Sequence, residues 1–424
     1  MRTGNSRQLM LVLKTGARMS RVLATNNVRK QFALDAIGFT FSAFGGPQAH
    51  LAVMLRLFVA KRGYLSESEL FELNALAQVL PGPTSSQTLV GVAYKIGGLF
   101  YAIGIYLIWL LPSAVIMCLA ALFFKSFEVD FIGTKVLEYV ESMAVGFVAF
   151  AAFSLFKRSV KGPLFYFLAI LSTSVCLWIQ RPIIFPILIV VGGFIASVLQ
   201  AGKEEKAIST NLLANINPRK LVYFVGIFML FAALGGIINR TSPFSLPVRL
   251  FQNLYRNGVF IYGGGQVLVP YLFTEFVVVK HYLTSGEFLS GYAMQQALPG
   301  PTFSFISFVG AMTMANAGYH FWGQIGGSFL AVIALNSPGL ILMLFIVPFW
   351  EELKKMTHVR NSISGIHAVS AGFIMAAMIL LTAQLPFQAG SLFIAFLTFL
   401  LLSFTTVPAP VLVIAGICCG IFIT

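Results

Sequence analysis

Two short motifs occur twice in this chain, and both are built from residues that hold anions on backbone groups. Residues 44–48 read Phe-Gly-Gly-Pro-Gln and residues 262–266 read Tyr-Gly-Gly-Gly-Gln. Residues 78–86 read Gln-Val-Leu-Pro-Gly-Pro-Thr-Ser-Ser, and residues 296–304 read Gln-Ala-Leu-Pro-Gly-Pro-Thr-Phe-Ser. Both pairs are offset by 218 positions, so the spacing between the two motifs is also kept. Proline lacks an N–H and clashes with the preceding turn, so Pro81-Gly82-Pro83 and Pro299-Gly300-Pro301 must break any helix they enter. A new helix can start just beyond, with Pro83 or Pro301 at its first position. The N–H groups of Ser85, Ser86, Phe303 and Ser304 then point out of a helix end that carries about half a positive charge. Such an end binds anions, and Thr84, Ser86, Thr302 and Ser304 add hydroxyl donors. Two of these ends brought together suit a tetrahedral oxyanion with two negative charges. A single copy would read more simply as a proline hinge whose Ser and Thr cap their own helix; duplication at fixed spacing favours the site.

The glycine motifs supply the second element. Gly45, Gly46, Gly264 and Gly265 permit close backbone approach or an unwound turn, and equally the close packing of helices. Gln48 and Gln266 are neutral donors that can hold an oxyanion or bridge two helices, as can Gln78 and Gln296 just before the prolines. Proton coupling needs a titratable group, and the candidates are His50, Glu69, Glu141 and Glu287. Glu69 and Glu287 share the motif offset of 218; the alternative role for this pair is to cap the helices starting near Ser66 and Ser285. Glu141 lies at the start of an apolar span, where an acid is a functional candidate. The four cysteines show no Cys-x-x-Cys spacing and sit in apolar sequence, so they read as packing residues and not as metal ligands. No Walker-type phosphate loop and no cofactor or metal motif is present.

The elements that carry these motifs must cross a membrane. The chain is 58% hydrophobic and 10% charged, against about 25% charged in soluble domains. There is no Asp, Glu, Lys or Arg from Phe288 to Trp350, and none from Asn361 to Thr424. The chain is therefore an all-α polytopic membrane protein. Apolar spans are expected at 31–59, 73–92, 96–124, 136–156, 164–179 and 183–200, then at 221–238, and then near 255–278, 289–315, 319–348, 362–383, 387–404 and 407–424. This divides the chain into a basic tail (1–30), a first repeat (31–200), a polar linker (201–220), a connecting helix (221–238) and a second repeat (250–424). The duplication continues beyond the motifs: Val145-Gly146-Phe147 matches Ala371-Gly372-Phe373, and Pro186 and Gly192 match Pro410 and Gly416. One extra crossing between two even-numbered halves inverts the second half, giving about thirteen spans in an inverted-topology repeat with broken Pro-Gly-Pro helices. The net charge of +14 flanks the spans and fills the tail, which fits cytoplasmic loops on anionic lipid and gives no reason to expect nucleic acid. Lipid and an inorganic anion are the expected partners, with a second copy of the chain as a further candidate. The N-terminus is expected on the cytoplasmic side.

Phe-Gly-Gly-Pro-Gln, the Leu-Pro-Gly-Pro segment about 35 residues on, and their second-half copies resemble the chromate ion transporter family in its long, two-domain form. The resemblance covers nearly the whole chain. It implies proton-coupled efflux of chromate across a bacterial inner membrane, with sulfate as the physiological look-alike, and hence chromate resistance by an antiporter. Carried over, the family motifs fall on Gly45, Gly46, Pro47, Gln48, Pro81, Gly82, Pro83, Gly264, Gly265, Gln266, Pro299, Gly300 and Pro301. The chain departs from many chromate-resistant members in having Thr84 where they carry an acid. An uncoupled anion channel would use the same helix ends. A membrane-embedded lipid-handling enzyme would need clustered acids, His or Cys, which the sequence does not offer.

Overall fold

The computed structural model describes residues 26–44, 46–126, 134–200, 226, 245–262, 267–347, 357–385, 389–405 and 407–422. The linker at 201–220 lies outside them, as does the connecting helix at 221–238 save residue 226. The described residues are helical, with no strand among them.

Among the described residues, each half shows eight elements in the same order. In the first half these are α1 (Asn26–Ser42), α2 (Gly46–Met54, continued as a π-helix over Leu55–Lys61), α3 (Glu67–Val79), α4 (Thr84–Gly97), α5 (Leu99–Ser126), α6 (Thr134–Ser159), α7 (Pro163–Trp178) and α8 (Ile184–Gln200). In the second they are α9 (Ser245–Phe260), α10 (Leu268–Leu272, continued as a π-helix over Phe273–Val279), α11 (Ser285–Ala297), α12 (Phe305–Asn316, preceded by a 3₁₀ turn at Thr302–Ser304), α13 (Phe321–Ile346), α14 (Thr357–Thr382), α15 (Ala389–Phe404) and α16 (Ala409–Phe422). The correspondence extends to unusual geometry. The two π-helices, a rare winding, stand 218 positions apart.

Among the described residues, four helices are long and apolar enough to cross a membrane: Leu99–Lys125, Glu138–Ser159, Phe321–Ile346 and Ser362–Thr382. They are two equivalent pairs, α5 and α13, α6 and α14. Shorter apolar helices flank them, and large apolar side chains such as Leu119, Phe167, Ile170, Val190 and Phe194 are exposed. Lipid, not water, is the solvent such a surface requires. The glycines repeated between halves mark where the halves interlock. A Cβ at Gly146 would meet the Ala395 carbonyl at 2.6 Å, and one at Gly372 would collide with the Ala169 carbonyl. Gly192 lies against Val369, and Gly416 against Met143. All four contacts join one half to the other, where only a missing side chain allows the helices to close.

Where the sequence suggests single spans at 31–59, 73–92, 255–278 and 289–315, the chain turns back on itself. Thr88 hydrogen-bonds Asn74, and Gly91 sits against Leu73, so α3 and α4 form a hairpin with Pro-Gly-Pro at its tip. Gly291 lies against Phe308 in the matching α11–α12 hairpin. The α1–α2 pair is folded likewise: Phe39 meets Phe58 and His50, and Asp35 pairs with Arg62 at 2.8 Å. Arg256 pairs with Glu275 across α9 and α10. The physical reason is length. A 13-residue helix such as α3 rises only about 20 Å, short of the roughly 30 Å hydrocarbon core, so it can reach the middle and return.

The hairpin bases bracket α5. At its start, Lys95 bridges to Glu69 at 3.2 Å. At its end, Lys125 donates to Asn316, which donates in turn to Glu287 and to the Tyr282 carbonyl. Helix α5 has 28 residues and is about 42 Å long. The α3–α4 and α11–α12 hairpins therefore have their bases at opposite ends of one long helix.

Candidate functional site

The two Pro-Gly-Pro tips meet the residues that lead into the two glycine motifs beside Ser113 of α5 and Gly339 of α13. Their backbones are stitched across the two halves. The Gly82 N–H donates to the Ile261 carbonyl at 2.7 Å, and the Gly300 N–H donates to the Ala43 carbonyl at 2.9 Å. Both acceptors immediately precede a glycine motif, so each Pro-Gly-Pro tip is bonded to the glycine tip of the other half. The long helices close the arrangement from the side. Gly300 faces Ser113 of α5, and Gly82 faces Gly339 of α13. These facing residues each follow a proline inside the long helix, Pro112 and Pro338.

Both turns need glycine. Gly82 has φ +121° and Gly300 φ +107°, a region open to glycine alone at little cost. That backbone turns Pro83 and Pro301 to face the starts of α4 and α12. Helix α4 begins directly at Thr84, with Pro83 as its N-cap and no side-chain cap. Its first-turn N–H groups lack intrahelical acceptors. The hydroxyls there are partly engaged: Ser85 pairs with His50 Nδ1 at 3.0 Å, and Ser86 accepts from the Trp109 indole at 2.8 Å. Trp109 is fully buried, stacked on Phe39 and edge-on to His50. At the second tip a 3₁₀ turn uses the Ser304 N–H on the Pro301 carbonyl, and the Ser304 hydroxyl donates to Gln295.

The fold brings some of the sequence's candidates together at the tips and sets others apart from them. Pro81, Gly82, Pro83, Thr84, Ser85 and Ser86 come together with Pro299, Gly300, Pro301, Thr302, Phe303 and Ser304 around the stitched tips. Gly46, at φ +81°, starts α2 beside them. Gly45, Gly264, Gly265 and Gln266 lie outside the described residues, as does the side chain of Gln48. Gln78 and Gln296 are half-buried on the last turns of α3 and α11. The amides that brace the tips are their neighbours in function: Gln87 donates to the Pro81 and Gly339 carbonyls at 2.7 and 3.0 Å, and Gln295 accepts from Ser304. Gln87 has no repeat partner, since Phe305 occupies its place, and so pattern matching passes over it.

Among the coupling candidates, His50 alone stands at the tips. Glu69 and Glu287 are at the hairpin bases, where each completes a capping box with Ser66 and Thr284. The second cap is Thr284 and not Ser285, the neighbour that the sequence suggests. Burial works to raise the Glu69 pKa, but the Ser66 amide and Lys95 outweigh it and hold the carboxyl below its ordinary value. Glu141 of α6 lies against Gly286 at the other hairpin base. A buried acid that the sequence does not single out is Glu275, fully buried and paired with Arg256.

None of the described residues named at the tips is charged, so backbone dipoles and hydroxyls set their electrostatics. Among the described residues no cluster of His, Cys, Asp or Glu is placed to hold a metal. What the tips can offer a ligand is N–H and O–H donors at the middle of a membrane-crossing bundle.

Comparison with known proteins agrees with this architecture. A family model described as chromate transporter matches residues 31–198 and 248–421, one match per half. A probable chromate transport protein of Synechococcus elongatus is 25% identical over 362 residues, covering 83% of this chain and 82% of the relative. The chromate transport protein of Cupriavidus metallidurans is 23% identical over 387 residues, 89% of each. An uncharacterized transporter of Methanocaldococcus jannaschii is 24% identical over 364 residues, covering 85% of this chain and 86% of the relative. No solved structure matches. With both repeats matched and the tip motifs lying inside the matched segments, the chain belongs to the chromate transporter family.

Proposed function

We propose that the chain is a secondary active transporter of a tetrahedral oxyanion, chromate or its look-alike sulfate, and that it binds this anion at the four stitched tips. The observation that carries the reading is the reciprocal pair of bonds, Gly82 to Ile261 and Gly300 to Ala43. These bonds hold two helix starts, from the two halves, at the middle of α5 and α13. A dianion there meets N–H dipoles and Thr84 and Thr302 hydroxyls without a fixed cation, which lets it leave as well as bind. Transport is efflux driven by a proton gradient, in a bacterial inner membrane with the N-terminus cytoplasmic.

The opposite placement of the hairpin bases along α5 supports an inverted repeat. Treating each hairpin as re-entrant removes two crossings from each half, so thirteen becomes nine: four per half and the connecting helix. Parity within each half stays even, so one connecting crossing still inverts the second half. The re-entrant reading also reconciles charge placement. Glu69 and Lys95 form one ion pair, and single spans at 31–59 and 73–92 would put them on opposite sides. Accessibility labelling of cysteines placed at Ser66 and Ser285 is expected to occur from opposite faces.

The test of the function is uptake by purified protein in liposomes, with chromate, sulfate, molybdate, phosphate and chloride compared under an imposed pH gradient. Tetrahedral dianions should be taken up and chloride should not, and collapse of the gradient should abolish accumulation while leaving counterflow. Uptake that ignores the gradient and shows no counterflow would instead favour the uncoupled channel.

A further inference from the structure

A second polar feature lies outside the tips. A cavity of about 860 Å³ opens between the α7–α8 turn, α8, α9 and the π segment of α10; its walls are mostly apolar, Ile187 and Val190 among them, and Arg181, Arg256, Lys280, Asn257, Glu275 and Tyr271 make its polar part. Three cations thus face one acid. Glu275 is fully buried, and one of its carboxylate oxygens accepts from the Arg256 guanidinium while the other has no partner. Asn257 is 2% exposed, and its amide N–H₂ is likewise unpartnered. Arg256 keeps 44% of its side-chain surface open. A buried amide donor with nothing to bind, and three cations against one acid around one space, describe a site short of an anion.

We propose that this cavity is a second oxyanion-binding station, in which the anion and the Glu275 carboxylate compete for Arg256. This rests on the transport reading above and adds a site to it. A guanidinium fork fits a carboxylate or a tetrahedral oxyanion equally well in shape, but it cannot give the same N–H groups to both. Glu275 holds Arg256, so an incoming anion must displace it. Arg181, Lys280 and the Asn257 amide then complete the cradle.

Position joins this station to the tips. Phe260 also lines the cavity and its carbonyl accepts from Tyr271; the next residue, Ile261, holds the Gly82 N–H. The first half has no copy, because the positions equivalent to Arg256 and Glu275 are Gly38 and Leu57. The station therefore stands on one side of the repeat only. A phosphate headgroup offers the same chemistry as a free oxyanion, and the experiment separates the two sources.

Radiolabelled sulfate binding by the full chain in phosphatidylcholine nanodiscs is the test. Glu275→Gln, which takes the competing charge away from Arg256, should bind about tenfold more tightly than wild type. Arg181→Gln and Lys280→Gln, both at the cavity mouth, should each weaken binding about three- to tenfold. Wild-type affinity in a folded Glu275→Gln variant overturns the proposal, and so does unchanged affinity in both cation variants should Glu275→Gln not fold. Retention of phosphatidylglycerol, and not sulfate affinity, that depends on Arg181 and Lys280 would assign the cavity to a lipid headgroup and also overturn it. Wild-type protein that binds no oxyanion defeats the transport reading itself, whereas wild-type binding left unaltered by Glu275→Gln defeats this inference alone.

Discussion

The two Pro-Gly-Pro tips share a backbone, a threonine and a serine, and differ in the side chains interleaved with them. Each has a left-handed glycine, Gly82 or Gly300, and each donates that glycine's N–H to the other half. At the first tip Ser85, Ser86 and Gln87 follow the turn, tied to His50, Trp109 and the Gly339 carbonyl. At the second, Phe303, Ser304 and Phe305 stand in those places, and the two phenylalanines are buried. The long helices repeat the contrast, with Ser113 facing one tip and Gly339 the other. Duplication has kept the scaffold that poses two helix ends and has let one of them become aromatic. The polar side chains tied together at the tips belong mostly to the first half, while the second half contributes buried aromatic rings there.

If the backbone is the shared part, damage to it should be symmetric. Gly82→Ala and Gly300→Ala should be the most harmful changes, each costing about 3 kcal/mol from strain at positive φ together with overlap. A Cβ at Gly82 would sit 3.2 Å from the Gly339 Cα, and one at Gly300 would sit 2.9 Å from the Ser113 hydroxyl. Thermal unfolding in detergent reads both, and a large effect at one glycine with none at the other would break the equivalence.

Side-chain changes should be asymmetric. Gln87→Ala strands the Pro81 and Gly339 carbonyls in the core, at about 1–3 kcal/mol in all. Phe305→Ala removes no hydrogen bond, although it opens a cavity. The two are told apart by rescue: Gln87→Glu should restore little, since a carboxylate cannot donate to a carbonyl, whereas Phe305→Leu should restore most of the loss.

The hairpin bases are the most similar parts of the halves and should respond least. Ser66→Ala and Thr284→Ala each remove a capping oxygen from an exposed helix start, at about 1 kcal/mol. The Glu69 carboxyl is held below its ordinary value of 4.5. Its contribution is therefore complete above that value and fades only as pH falls through the lower folded value. Between pH 5.5 and 8, Glu69→Gln should shift stability by a constant amount and leave the pH dependence of transport unchanged. A pH response lost in Glu69→Gln would return that residue to the coupling path.

Much of this architecture is legible in the order of the residues. Motifs that repeat at one offset mark the tips, because two copies of Pro-Gly-Pro at fixed spacing are hard to explain as hinges. Gly146 with Gly372, and Gly192 with Gly416, mark the crossings between halves for a similar reason. Ser66 and Glu69 spell a capping box. The hairpins are not legible, because hydropathy records that a run is apolar and not that it turns back; the ion pair between Glu69 and Lys95 reveals it. Gln87 escapes because only one half has it. Arg256 and Glu275 escape because an acid and a base 19 positions apart on an irregular pair of helices give no periodic signal, and the π winding that brings Glu275 round has no sequence code of its own.

The central claim is that an oxyanion sits between the two tips. Thr302 tests it with a single pair of nearly equal-sized substitutions, Asn and Asp, that differ in charge. Chromate uptake into proteoliposomes should persist within a few-fold in Thr302→Asn and fall to the level of empty liposomes in Thr302→Asp, with both variants unfolding at the same temperature, because a fixed negative charge repels a dianion. Equal uptake by the Asn and Asp variants would contradict the account and move the anion away from the tips.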